Sequence, residues 1–240
     1  MNTDKRGRRR NAAAVLMAAA MLAALGTAHA ATDDAPLYVE VADVARAPIG
    51  WVEFCASNPG ECATVPSAPR DVVLTTKAFK DLVSVNRYVN ESVKPMTDLK
   101  HWGIIEKWSY PDDGYGDCED YVLLKRRLLI KAGWPREALL ITVVRDRKDE
   151  GHAVLTIKTD RGEFILDNQV EGVLPWFETG YRFVKRQSQN DPNVWVSLGN
   201  LSATAMSEHS GIPDIELHDK LLNVRSALRP LHGWLTAVAR

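Results

Sequence analysis

The hydrophobic period of this chain changes sharply at Gly133, and that change limits what the chain can fold into. Upstream, "GYGDCEDYVLLKRRLLIKAGWP" (114–135) carries helix signals at both ends. Asp117 is a good N-cap, Asp120 stands at N3 where a capping-box acid belongs, and Gly133 followed by Pro135 marks the stop. Cys118, Tyr121, Val122, Leu128, Leu129 and Ala132 make one apolar stripe, which puts Cys118 at N1 and facing inward. Arg126, Arg127 and Lys131 are expected on the outer side, near the end of the helix that favours cations. Downstream the period is two, predicting strands over 138–147, 152–158 and 163–168, the last pair joined by the hairpin signal "TDRG". A helix feeding an antiparallel sheet predicts an α+β domain.

The rest of the chain is arranged around that unit. A helix is expected over 75–93 and a long polar, aromatic-rich loop from there to residue 116. One or two more strands are expected over 181–198. Residues 31–50 read as a mobile lead-in and 51–200 as the domain. Residues 201–240 read as a C-terminal helical extension, with a helix from about Asp214 to Leu228.

Residues 1–30 have the build of an export signal: basic "KRGRRR", a short apolar core, and "AHA" before Ala31. The apolar run is short for a membrane span, so the expectation is cleavage after Ala30 and release into a periplasm, not an integral membrane protein. Losing that segment removes five basic residues and one acid, leaving 25 Lys/Arg against 30 Asp/Glu, a net charge of −5. Such a balance speaks against a nucleic-acid partner. In an oxidising compartment, the turn in "CASNPGEC" can bring Cys55 and Cys62 within bridging range. Cys118 is then the odd thiol, either a small buried hydrophobe or a reactive group.

Its placement favours reactivity. A helix N-terminus stabilises a thiolate, while Asp117, Glu119 and Asp120 oppose one, so a cationic partner is needed. With Lys158 opposite Glu163 in the hairpin, Val154 faces Asp167 and His152 lies diagonally across on the same sheet face. Ala153, Leu155, Ile157, Phe164 and Leu166 then share the other face as a core stripe, and a one-residue slip would destroy both groupings. Cys118, His152 and Asp167 thus supply a nucleophile, a base and an orienting carboxylate. The acids around Cys118 suit either a helix cap or a hard cation. An oxyanion hole is expected from the Cys118 N–H plus a second donor. Trp102, Trp108 and Tyr115 lie in the preceding loop, and packing as its wall is the preferred reading for them.

"GYGDCEDYVLLKRRLLIKAGWP", "GHAVLTI" and "EFILDN", in this order, resemble the bacterial transglutaminase-like cysteine peptidases, whose LapG-like branch releases biofilm adhesins in the periplasm. The resemblance spans about Trp51 to Leu198. It implies a papain/transglutaminase-like core with the cysteine-bearing helix packed on an antiparallel sheet. It also implies Cys118 as nucleophile, His152 as base and Asp167 as orienter. The same resemblance implies calcium beside the cysteine, on Asp117 and Glu119 with Asp120 as a third ligand. A protein substrate, in the form of a large surface adhesin, and an inner-membrane cyclic di-GMP receptor as regulator follow from it too. Two other readings of the residues stay open: acyl transfer to an amine by a transglutaminase or peptidoglycan amidase, and a non-catalytic binding module.

Overall fold

The computed structural model describes residues 36–64 and 68–199. The export signal and the tail helix expected from Asp214 to Leu228 lie outside the described residues. Within them the expected change of period is realised as a helical layer on an antiparallel sheet. Helix α1 covers Ile49–Ser57, α2 Thr76–Ser92, α3 Asp98–Trp102 and α4 Cys118–Lys131. The strands are β1 (Val41–Ala45), β2 (Lys94–Pro95), β3 (Tyr115–Gly116), β4 (Leu139–Arg145), β5 (Gly151–Thr159), β6 (Gly162–Leu166), β7 (Leu174–Pro175), β8 (Arg182–Gln187) and β9 (Trp195–Leu198). Seven of them form one sheet in the order β1-β9-β8-β4-β5-β6-β7, with every neighbouring pair antiparallel.

The β5–β6 register is the one read from charge and alternation: Lys158 faces Glu163 and Leu155 faces Leu166. One face of the sheet packs Ala153, Leu155, Ile157 and Leu166 against α1, α2 and α4 through Trp51, Leu82, Val89, Val122 and Leu129. The other face carries a smaller core of Val144, Val154, Ile165, Trp176, Tyr181 and Phe183. Strands β5 and β6 alternate their side chains between these two cores, the physical content of a period of two. Near the helical layer, Cys55 and Cys62 are joined by a disulfide with Cα atoms 5.6 Å apart. Cys118 carries a free thiol.

Three expectations change. Val41–Ala45, inside the segment read as a mobile lead-in, is the edge strand of the large sheet, paired with β9. Its exposed side chains hide it from a search for buried alternation, because an edge strand is held by backbone ladders more than by burial. The long loop 94–116 contains α3 and is folded back by parallel pairing of β2 with β3. Finally, Arg126 is not on the outer side of α4. It is 3 % exposed and its Nε donates to the Leu139 carbonyl at 3.0 Å. With β5 on one side and α2 on another, α4 is covered on more than one stripe, and long stems are buried with it.

Candidate active site

Cys118 begins α4 and is half-buried. Asp117 holds the N-cap position, but its side chain does not cap the helix; instead its Oδ2 accepts the Asp98 N–H at 3.2 Å. Asp120 does not close a capping box either. Its Oδ1 accepts the Ser109 N–H at 2.8 Å, and its carboxylate packs against Gly116, where a Cβ would lie 2.7 Å from Oδ2. Both acids are used to hold the loop 94–116 against the helix start. The Cys118 thiol donates to Glu119 Oε2 at 3.2 Å. Burial pushes the thiol well above its ordinary range and the Glu119 charge adds to this, whereas the Ala153 N–H, donated toward the sulfur, works the other way. That last contact sets the thiol against β5, one residue past His152.

His152 and Asp167 are brought together. Nε2 of His152 lies 2.8 Å from Asp167 Oδ1, and both side chains are buried. Oδ1 also accepts the Gln169 N–H at 3.0 Å, and the Asp167 carbonyl accepts from Asn90 of α2 at 2.9 Å. Burial alone would raise the Asp167 carboxyl, but its hydrogen bonds, first that from His152, hold it below the usual carboxylate value. With Asp167 ionised, Nε2 carries the imidazole proton and Nδ1 is left as the basic nitrogen. Tyr181, which carried no signal in the sequence, completes the cluster: its hydroxyl donates to Asp167 Oδ2 at 2.5 Å. Trp108 is wall, as expected, with its ring edge-on to Trp51 and Trp195 and its indole N–H donated to Glu106 at 2.6 Å. Trp102, by contrast, is exposed and stacked on His101.

The acids form a different set from the one expected. Asp98, Asp117 and Glu119 each offer an oxygen within 4.8 Å of the others, and Asp98 joins them from a position nineteen residues before Asp117. Asp120 is outside that group. Oδ1 of Asp98 and Oδ1 of Asp117 are buried without a hydrogen-bond partner. Burial, and then the charge of Asp117, push Glu119 well above the carboxylate range. Buried oxygens with no donor facing them, in an all-carboxylate set, fit a hard divalent cation and nothing softer. A sequence signal existed only in hindsight: Asp98 is an acid within the aromatic-rich loop that precedes the helix.

Two turns along α4 from Cys118 lies a group no sequence pattern marks. Lys125 is fully buried, its Nζ has no hydrogen-bond partner, and it lies 5.8 Å from the centre of the Tyr121 ring. Burial lowers its pKa to about 7, with Asp167 pulling the other way. The unfolded chain binds this proton up to the ordinary lysine range and the folded protein releases it near 7. Stability should therefore rise as pH climbs from about 7 toward about 10.4. Lys125→Met is expected to flatten that rise and to gain about 1–3 kcal/mol at pH 7. Denaturant melts of both proteins across that window check it.

A thiol at a helix start, set against a strand that presents a buried His–Asp pair, defines the class of a thiol hydrolase. A profile of the bacterial transglutaminase-like cysteine proteinases (BTLCP) matches residues 41–203. The chain belongs to that family, and it is a cysteine peptidase. Among solved structures it is similar to calcium-bound LapG of Legionella pneumophila, at 23 % identity and a TM-score of 0.43, over 54 % of this chain and 78 % of that one. The EGTA-treated form of the same protein gives 24 % and 0.42, over 55 % and 78 %. Among curated proteins no relative matches. No helix among the described residues is long and apolar enough to cross a membrane.

Proposed function

We propose that this chain is an exported peptidase in which Cys118, His152 and Asp167 act as nucleophile, base and orienter on a protein substrate. His152 takes the thiol proton and the Cys118 sulfur attacks the amide carbon. The imidazolium then gives that proton to the leaving amine as the C–N bond breaks. Water, deprotonated by the same imidazole, hydrolyses the thioester and regenerates the thiol. The Cys118 N–H, free at the first turn of α4, is the first oxyanion donor. Asp98, Asp117 and Glu119 would hold calcium beside the nucleophile, where its charge offsets carboxylates that otherwise oppose a thiolate. The substrate is the periplasmic N-terminal segment of a large surface adhesin, with an inner-membrane cyclic di-GMP receptor as regulator.

The observation that supports this reading is the buried His152–Asp167 hydrogen bond of 2.8 Å, one residue from the Ala153 N–H that meets the Cys118 thiol. Family membership supports a peptidase acting on proteins; the adhesin part extends it along the LapG-like resemblance of the sequence motifs. Proteomics of cells with and without the protein tests it. One surface protein should stay full-length in its absence and be trimmed near its N-terminus when the purified enzyme is added back. Trimming that is unchanged in its absence removes the adhesin, and incorporation of a tagged primary amine in place of hydrolysis would make the chain a transferase.

A further inference from the structure

We propose that Tyr181 is a positioning residue of this site, its hydroxyl deciding which oxygen of Asp167 faces His152. The inference rests on the reading of Cys118, His152 and Asp167 as the reacting set. A carboxylate offers two equivalent oxygens, and an orienting acid is useful only when one of them is held toward the imidazole. Here the two are made different. Oδ1 takes His152 Nε2 and the Gln169 N–H, at 2.8 and 3.0 Å, while Oδ2 takes the Tyr181 hydroxyl at 2.5 Å. A rotation of the carboxylate would break these contacts together, in a place that water does not reach: Asp167 is 3 % and Tyr181 2 % exposed.

The tyrosine is itself fixed. Its ring belongs to the apolar core with Phe183 and Trp176 and meets the His152 ring edge-on, with centroids 5.9 Å apart. Its backbone N–H donates to the Thr179 hydroxyl at 3.2 Å, which ties down the turn before β8. One side chain therefore contacts both members of the His–Asp pair, from an element that carries no other part of the site. The hydroxyl also draws negative charge from Asp167, moderating its hold on an imidazolium. The other ionisable groups acting here are Lys125 on α4, and Arg147 and Asp146 on the β4–β5 turn.

Tyr181→Phe tests this, because the ring stays in its apolar core and only the hydroxyl goes. Two readouts are expected to move together. The midpoint of the His152 imidazole titration, followed by NMR and assigned with His152→Gln, should rise by about half a pH unit as the Oδ2 charge is freed. Peptide cleavage should lose about tenfold in kcat with KM within about twofold, since ground-state contacts with the peptide are untouched. A folded variant with the wild-type midpoint overturns the proposal, whether its kcat falls or not. So does a shifted midpoint with wild-type kcat. The titration needs no substrate, so it judges the Tyr181 contact separately from the peptidase reading, which stands or falls on Cys118.

Discussion

Cys118→Ala is expected to abolish peptide cleavage, with a loss of roughly 10⁴-fold or more, while leaving the fold intact. The thiol is half-buried, donates to Glu119 Oε2 and meets the Ala153 N–H. Alanine at this position removes a single sulfur at the edge of the core, a cost of about 1 kcal/mol or less. The sharper form of the prediction uses His152. If sulfur and imidazole act as one unit, His152→Gln should lose about as much as Cys118→Ala, and the double variant little more than either. Losses that multiply would mean independent roles. Cleavage by Cys118→Ala at the wild-type rate would remove the nucleophile and with it the mechanism. Circular dichroism and thermal melts on the same preparations separate lost chemistry from lost fold.

Calcium is expected to stabilise chelator-stripped protein by about 2.7 kcal/mol at a hundred times its Kd, which for a domain of this size raises Tm by about 5–10 °C. The gain comes from cancelling a strain that the geometry builds in: three carboxylates within 4.8 Å, two of them with an oxygen that has no donor. Substitutions then distinguish the set in the fold from the set a sequence suggests. Asp98→Asn should weaken the calcium response more than tenfold although it lies nineteen positions before Asp117, because it removes one ligand charge from the cluster. Asp120→Asn should keep the response. The Asp120 carboxylate is engaged by Ser109, and an amide oxygen can accept that same N–H. Titration calorimetry on the three proteins reads this directly. Equal calcium binding by wild type and Asp98→Asn would place the ion elsewhere, and no binding by wild type would leave the acids as a device for pinning the loop.

What was legible in the sequence lies where neighbours along the chain, or directly across a hairpin, decide the outcome. The α4 start at Cys118 follows from local propensity and the helix period, and its stop from Gly133. The β5–β6 register follows from Lys158 facing Glu163 and from alternation, and it carries His152 to Asp167 without further information. The capping roles assigned to Asp117 and Asp120 failed for the opposite reason. A side chain that satisfies a local N–H also satisfies a distant one, and the folded loop brings the N–H groups of Asp98 and Ser109 within reach. Arg126 was misplaced because a helical stripe describes one covering surface, while α4 meets two.

The sequence by itself therefore determined the class of fold, the position of the thiol at a helix start and the face on which its histidine and aspartate meet. These rest on contacts between residues close along the chain, whose geometry the backbone period sets. Only the tertiary structure decided that Asp98 replaces Asp120 in the acid cluster, that Tyr181 holds the second oxygen of Asp167, and that Lys125 is buried without a hydrogen-bond partner. The first two depend on where loops return in space, through the β2–β3 pairing and the turn before β8. The third depends on how many layers cover α4. A polar side chain takes whichever partner the finished packing leaves within hydrogen-bond reach, and that choice is made by the whole core.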